Sequence, residues 1–350
     1  MPNDCCANPD RLAAQSQGPV LDIFRLARPA DVDAILAFTQ SAEAGLTTVP
    51  RTRERVIDYI DATQAFLSGD QSANRVLFVV ERGGRVMGIS GIIPVLGLDR
   101  PFYSFKRSRH AGWSPQLDLR NNYETLQLTT DFDGYTELAS IFLAPEARGK
   151  GVARLLSLGR LAFIEQHRSL FSDRLMADIR GWVDDNGVSP FWRHLTSEFI
   201  QTDFDVADRL STSDGRFIME LMPSLPIFLN LLPEAARHCA GRPHDISRGA
   251  MNLLIGAGFE PTDLCDIFDG GPAIQCRIDA TLIARTQRKV DKSADLSGGG
   301  KTQRVIAFAG DLSGFKATMT RGDLTSASVD VHAADLGEDV KICLASERRR

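Results

Sequence analysis

The chain has 350 residues, 43% hydrophobic and 24% charged, a composition able to bury a full core. Its 40 Lys+Arg against 45 Asp+Glu leave a net charge of −5, which excludes a broad basic field for nucleic acid or an anionic membrane; any anion must be held locally. Residues 1–17 are polar and do not read as a signal peptide. No stretch reaches the ~18 apolar residues of a membrane span, and the six cysteines (5, 6, 239, 265, 276, 343) form no C-x-x-C pair, so they read as reduced thiols of a cytoplasmic protein.

Residues 1–20 read as a loose extension. Residues 21–26 alternate like a strand, ended by Arg28-Pro29. Val32, Ile35, Leu36 and Thr39 share one helical face, and residues 51–67 repeat that pattern with Val56, Ile57, Ile60 and Phe66. Residues 75–81 and 86–95 are β-rich runs around Gly83-Gly84, which supplies the positive φ angles of a tight hairpin. Residues 97–133 lack a clear period and read as an insertion with short strands. Next come a strand over 135–143, a helix over 149–166, a strand over 174–181, a short helix over 190–195 and a helix over 246–257.

Residues 289–301, with Gly298-Gly299-Gly300 and almost nothing apolar, read as a linker or long loop. Short strands at 305–308, 315–319, 326–331 and 340–344 then predict a small β appendage. The expected fold class is α/β (α+β), divided into an extension (1–20), a core (21–286), a linker (287–301) and a small β subdomain (302–350).

The chemistry concentrates where strand 135–143 runs through Pro145 and Glu146 into Arg148-Gly149-Lys150-Gly151-Val152-Ala153 and the next helix. Glycines there allow backbone amides to approach a ligand, and the helix N-terminus favours negative charge, so a pyrophosphate fits with Arg148 and Lys150 supplementing the amides. Rossmann and Walker loops fail: G-x-G-x-x-G is absent, and Gly300-Lys301-Thr302 has Asp295 where the first Walker glycine belongs. The Arg-x-x-Gly-x-Ala pattern resembles the acyl-CoA loop of the GNAT acyltransferase superfamily, which implies a mixed, mostly antiparallel sheet flanked by helices.

The resemblance narrows with Gly45-Leu46-Thr47, Glu137-Leu138, Ala177-Asp178-Ile179-Arg180-Gly181, Ser189-Pro190-Phe191-Trp192, Asp203-Phe204, Glu220-Leu221-Met222-Pro223 and the run from Asp266 to Pro272. From about residue 23 to about residue 280 these resemble the arginine N-succinyltransferase family. The resemblance implies succinyl transfer from succinyl-CoA, a co-substrate, to the α-amino group of L-arginine, the entry step of arginine catabolism. It also implies small-molecule substrates, no prosthetic group, and a homodimer or a hetero-oligomer with a related subunit.

By the same resemblance His244, fifteen positions before Phe259, is the proton donor, and Ile141 is the acyl-CoA contact on the strand. Ala139-Ser140-Ile141 and His244-Asp245 depart from the family's usual Cys-Thr-Leu and His-Pro, which leaves arginine and ornithine both open as acceptors.

The reaction so implied requires an oxyanion donor, for which the amides of Ile141, Phe142 and Leu143 on a splayed strand are suited, and no metal. His244 follows Gly241-Arg242-Pro243 in a pre-helical loop able to reach a cleft; Tyr103, Tyr123 and Tyr135 are alternative acids. For substrate carboxylates Arg180 is the first candidate, then Lys106 and Arg107. For the acceptor's guanidinium the candidates are Glu220, Asp266 and Asp269, although residues 266–272 equally read as a turn. Phe191-Trp192 reads as core, and Arg348 to Arg350 as a solvated end.

Overall fold

Thr52 starts the second helix by accepting the Arg55 amide on its hydroxyl, and Gly83 and Gly84, at φ 55° and 79°, close the first hairpin as their sequence requires. The computed structural model describes residues 21–40, 42, 48–184, 187–212, 214–290, 302–329 and 336–346. Residues 1–20, Gly45-Leu46-Thr47, most of the expected linker (291–301) and the terminal arginines lie outside the described residues.

In chain order the first half contains β1 (Asp22–Leu26), α1 (Val32–Thr39), α2 (Arg53–Leu67), β2 (Val76–Arg82), β3 (Arg85–Ile93), β4 (Ser104–Ser114), β5 (Leu119–Thr129), β6 (Thr136–Leu143), α3 (Val152–Gln166) and β7 (Arg174–Asp178). After a π-helical turn, Trp192–Thr196, come α4 (Ser197–Phe199), α5 (Phe204–Ser211), α6 (Arg216–Leu221), β8 (Ile227–Phe228), α7 (Glu234–Cys239), α8 (Arg248–Gly256), β9 (Glu260–Cys265) and β10 (Pro272–Arg277). The chain continues through α9 (Leu282–Thr286), β11 (Arg288–Lys289), β12 (Gln303–Ala309), β13 (Lys316–Asp323), β14 (Ser328–Val329) and β15 (Lys341–Leu344).

The strands form one sheet in the order β11-β15-β12-β13-β1-β2-β3-β6-β7-β10-β9-β4-β5-β8, with β14 beside β13. Every pair is antiparallel except β6–β7, which gives the expected mixed α/β class. α3 packs across β1, β2, β3, β6 and β13, so its face is apolar. Phe24 stacks on Phe78 at 4.8 Å, Phe163 meets Phe315 edge-on at 5.1 Å, and a Cβ on Gly159 would sit 2.7 Å from the Phe24 ring, so α3 approaches β1 this closely only with glycine there. A second core gathers Phe105, Leu126, Phe191, Trp192, Leu195 and Phe268, including the Phe191-Trp192 pair that reads as core in the sequence.

Two elements differ from their sequence reading. Residues 97–133 contain one long hairpin: β4 and β5 pair from Ser104↔Thr129 to Ser114↔Leu119, turning at Asp118. Much of it is exposed on both faces, so no apolar alternation marks it. The C-terminal strands, expected as an appendage, continue the common sheet through β13 and β1, where Ala317 pairs with Phe24. β12 is apolar on both faces: Ile306 and Phe308 enter the main core, while Val305, Ala307 and Ala309 pack with Leu336, Val340 and Ile342. Among the described residues no helix is long and apolar enough to cross a membrane.

Candidate active site

The site is built where β6 parts from β7. The parallel pairing covers only Thr136↔Leu175 and Glu137↔Met176, so beyond Glu137 the edge of β6 has no paired strand on that side among the described residues. On its other side β6 stays paired with β3, but Ala139 pairs with Gly91 and Phe142 with Ile89, so Ser140 and Ile141 together oppose Ser90. This is a β-bulge, and Ser140 sits at φ 56° within it, a left-handed conformation that a serine adopts at a cost. The Ser140 hydroxyl donates to the Thr48 carbonyl at 2.7 Å and accepts from Arg75 at 3.1 Å. Arg160, fully buried on α3, donates to the carbonyls of Ala139 (3.0 Å) and Gly91 (3.3 Å) at the irregularity.

The candidate residues on β6 follow: Ile141, Phe142 and Leu143 are half-buried, and Phe142 stacks on Phe38 of α1 at 6.1 Å. The chain then turns through Pro145–Ala147, and Arg148, Gly149 and Lys150 are exposed. Gly149 and Gly151 have φ of 75° and 87°, and Gly151 is the N-cap of α3. The amide of Leu155 bonds back to the Gly151 carbonyl at 3.1 Å, leaving the amides of Val152, Ala153 and Arg154 at the open helix end. Strand, two left-handed glycines and helix N-terminus thus come together as the candidate anion cradle.

On the far side of the opening, the His244 amide donates to the Arg180 carbonyl at 2.8 Å, and Gly181 bridges Pro243, so the His244 loop is stitched to the end of β7. His244 is half-buried, and its Nδ1 accepts the Ile246 amide at 3.2 Å, which in the neutral ring puts the proton on Nε2. Asp269 accepts the Gly181 amide on Oδ2 and the Gly271 amide on Oδ1, both at 2.7 Å, and Asp266 accepts the amides of Phe268 (2.7 Å) and Asp269 (2.8 Å). Asp266 and Asp269 therefore build the turn, the alternative that the sequence left open.

One acid that sequence reasoning quoted only within a motif is Asp178, the last residue of β7, whose Oδ1 is buried with no hydrogen-bond partner among the described residues. Burial first, then the charges of Asp266, Glu137 and Asp269, raises its pKa well above the ordinary carboxylate value.

Other candidates lie elsewhere. Glu220 is exposed on α6, with Arg216 its electrostatic neighbour. Lys106 pairs with Asp131 at 2.9 Å, and Arg107 donates to the Ala240 carbonyl at 2.8 Å. Tyr123 stacks on His110 at 4.8 Å on the β4–β5 hairpin, and the Tyr135 hydroxyl is held by Arg174 at 3.0 Å. Tyr103 is half-buried, and its burial raises the phenol pKa.

The family model for the arginine N-succinyltransferase beta subunit matches residues 22–283, from β1 into α9. An arginine N-succinyltransferase of Escherichia coli strain UMN026 is 32% identical over 336 residues, covering 92% of this chain and 98% of that protein. The enzyme of Escherichia fergusonii is 31% identical over the same length. The solved structure of arginine/ornithine succinyltransferase subunit AI from Pseudomonas aeruginosa superposes with a TM-score of 0.79 at 28% identity, covering 94% of this chain and all of that one. With cradle, bulged strand and His244 loop all inside the matched segment, the chain belongs to the arginine N-succinyltransferase family.

Proposed function

We propose that this acyltransferase moves the succinyl group of succinyl-CoA onto the α-amino group of L-arginine, releasing CoA, by direct attack of the amine on the thioester. The observation that carries the reading is the open edge of β6 running straight into the glycine cradle at the N-terminus of α3. Arg148, Gly149, Lys150, Gly151 and Ala153 receive the pyrophosphate, and the thioester carbonyl lies along Ile141, Phe142 and Leu143, whose backbone stabilises the oxyanion. The acceptor's positive charge is met by the buried carboxylates around Asp178.

The α-ammonium sheds two protons in becoming an amide N–H. One goes to solvent before attack; the nitrogen then bonds to the carbonyl carbon, the C–S bond breaks while His244 Nε2–H hydrogen-bonds the departing thiolate, the second proton leaves the nitrogen for solvent, and the thiolate takes up a proton from solvent. Positioning by both binding subsites supplies much of the acceleration. A second reading, with ornithine as acceptor in place of or beside arginine, is favoured by the name of the Pseudomonas aeruginosa subunit.

Thiol release measured with succinyl-CoA and acetyl-CoA, each against L-arginine and L-ornithine and with product masses, tests both readings. Release with succinyl-CoA and arginine is expected, and release with ornithine alone would replace the acceptor. Silence in all four reactions while succinyl-CoA still raises the Tm would mean a non-catalytic acyl-CoA-binding subunit.

A further inference from the structure

Beside the bulge of β6 lies a group of cations that the reaction as described does not use. Asn74 Nδ2 donates to Asp99 at 2.9 Å, tying the start of β2 to the segment before β4 and bringing the next residues, Arg75 and Arg100, into one neighbourhood. The guanidinium of Arg75 lies 4.1 Å over the Tyr59 ring and reaches Ser140 at 3.1 Å, so its fork is oriented from two sides. Arg100 is half-buried and extends toward Gly215, where its Nη1 is 3.6 Å from the position of a Cβ. Among the described residues neither arginine has a carboxylate within 4 Å.

The nearby charges do not balance. Arg75, Arg100 and Arg160 all act electrostatically on the buried Glu137, and Asp99 also acts on Arg100, three guanidinium groups against two carboxylates. Burial draws the pKa of Arg160 down to about 9 and also lowers that of Arg100, so the protein bears a desolvation cost for cations it has not neutralised. An oriented, half-buried surplus of guanidinium is a receptor awaiting an anion.

Its position selects the anion. Ser140, which touches Arg75, is the immediate neighbour of Ile141, and one residue along a strand is about 3.3 Å. A succinyl chain carries its free carboxylate three carbon–carbon bonds from the thioester carbon, a comparable span. We infer that Arg75 and Arg100 form the receptor for the distal carboxylate of a dicarboxylic acyl group, making them the specificity-determining residues on the donor side. This deepens the acyl-transfer reading above and rests on the thioester lying at Ile141.

The test compares Arg75→Gln and Arg100→Met with the wild type, using succinyl-CoA and butyryl-CoA as donors of equal chain length and L-arginine and agmatine as acceptors with and without a carboxylate. The ratio of kcat/KM for succinyl-CoA over butyryl-CoA is expected to fall at least about thirtyfold in each variant. A ratio that stays within about threefold overturns the inference. So does a loss that follows the arginine-to-agmatine ratio, because the carboxylate read would then be the acceptor's.

If the wild type turns over neither donor, the functional reading fails separately. The receptor is then judged by thermal shift: succinyl-CoA must stabilise the wild type more than butyryl-CoA, and both substitutions must erase that difference. Should Arg75→Gln fail to fold, Arg75→Lys, which keeps the charge but not the fork, is expected to show the same fall in ratio.

Discussion

The backbone amide of His244 donates to the carbonyl of Arg180 at 2.8 Å, so a loop more than sixty residues downstream becomes an extra partner of the strand that borders the cleft. The imidazole is thereby positioned by main chain, and its removal leaves that bond in place. His244→Ala is expected to lower kcat at least about tenfold with little change in acyl-CoA affinity, read by steady-state kinetics beside a CoA titration. Wild-type turnover in the variant would remove His244 from the mechanism.

Gly151 and Arg148 separate the two ways in which the proposed cradle would hold an anion. At φ 87° any other residue costs about 1–2 kcal/mol, and the Cβ of Gly151→Ala would fall 2.5 Å from the Met319 methyl, the flexible end of its side chain, so it is the backbone strain that shifts the loop and the aim of its amides. The expected result is a severalfold higher KM for succinyl-CoA at every ionic strength. Arg148→Ala removes only an exposed charge, so its KM defect is expected at low salt and should fade as salt rises.

Much of this was legible beforehand where one local pattern sufficed. Gly83-Gly84 announces its hairpin, and Pro145 through Gly151 announces strand, loop and helix, because turn chemistry and apolar period are short-range signals. The β4–β5 hairpin was not legible, since Lys106, Arg109, Arg120 and Asn122 stand where an apolar alternation would be read. Arg75 and Arg100 were hidden for a different reason: they are brought together through the Asn74–Asp99 contact, which no spacing rule connects. Asp178 was quoted as motif, but what sets it apart, a buried Oδ1 with no hydrogen-bond partner among the described residues, only packing reveals.

Asp178 gives a prediction whose sign depends on pH. Its folded-state pKa is raised, so the stability that protonation contributes is fully present below the ordinary carboxylate value and is lost as pH rises through the folded one. Asn imitates the protonated form at every pH. Asp178→Asn should match the wild type in Tm near pH 4 and exceed it by a margin that widens above that, while kcat/KM for arginine falls. A margin that narrows with rising pH would contradict the buried-charge account.

Arg160 bonds the carbonyls of Ala139 and Gly91 and faces Glu137 from beneath the bulge. Arg160→Met leaves those acceptors without that donor and a buried carboxylate with less compensation, for an expected loss of about 3–5 kcal/mol in denaturant unfolding. Adding Glu137→Gln should recover part of it. A double variant no more stable than the single one would mean that Arg160 acts through the carbonyls alone.

The C-terminal strands offer the last test, because their sequence reads as separable while their pairing does not. β13 covers the edge of β1, Thr318 donates to the Asp22 carbonyl at 2.8 Å, and Phe315 touches both Phe24 and Phe163. Ending the chain at residue 290 would expose the β1 edge and the face of α3 that Phe308 and Phe315 complete, and an uncovered apolar edge strand invites aggregation. The truncated chain is expected to be insoluble or to lose cooperative unfolding, monitored by circular dichroism and light scattering. A soluble fragment that unfolds cooperatively and still binds CoA would show instead that residues 21–286 fold as an independent unit.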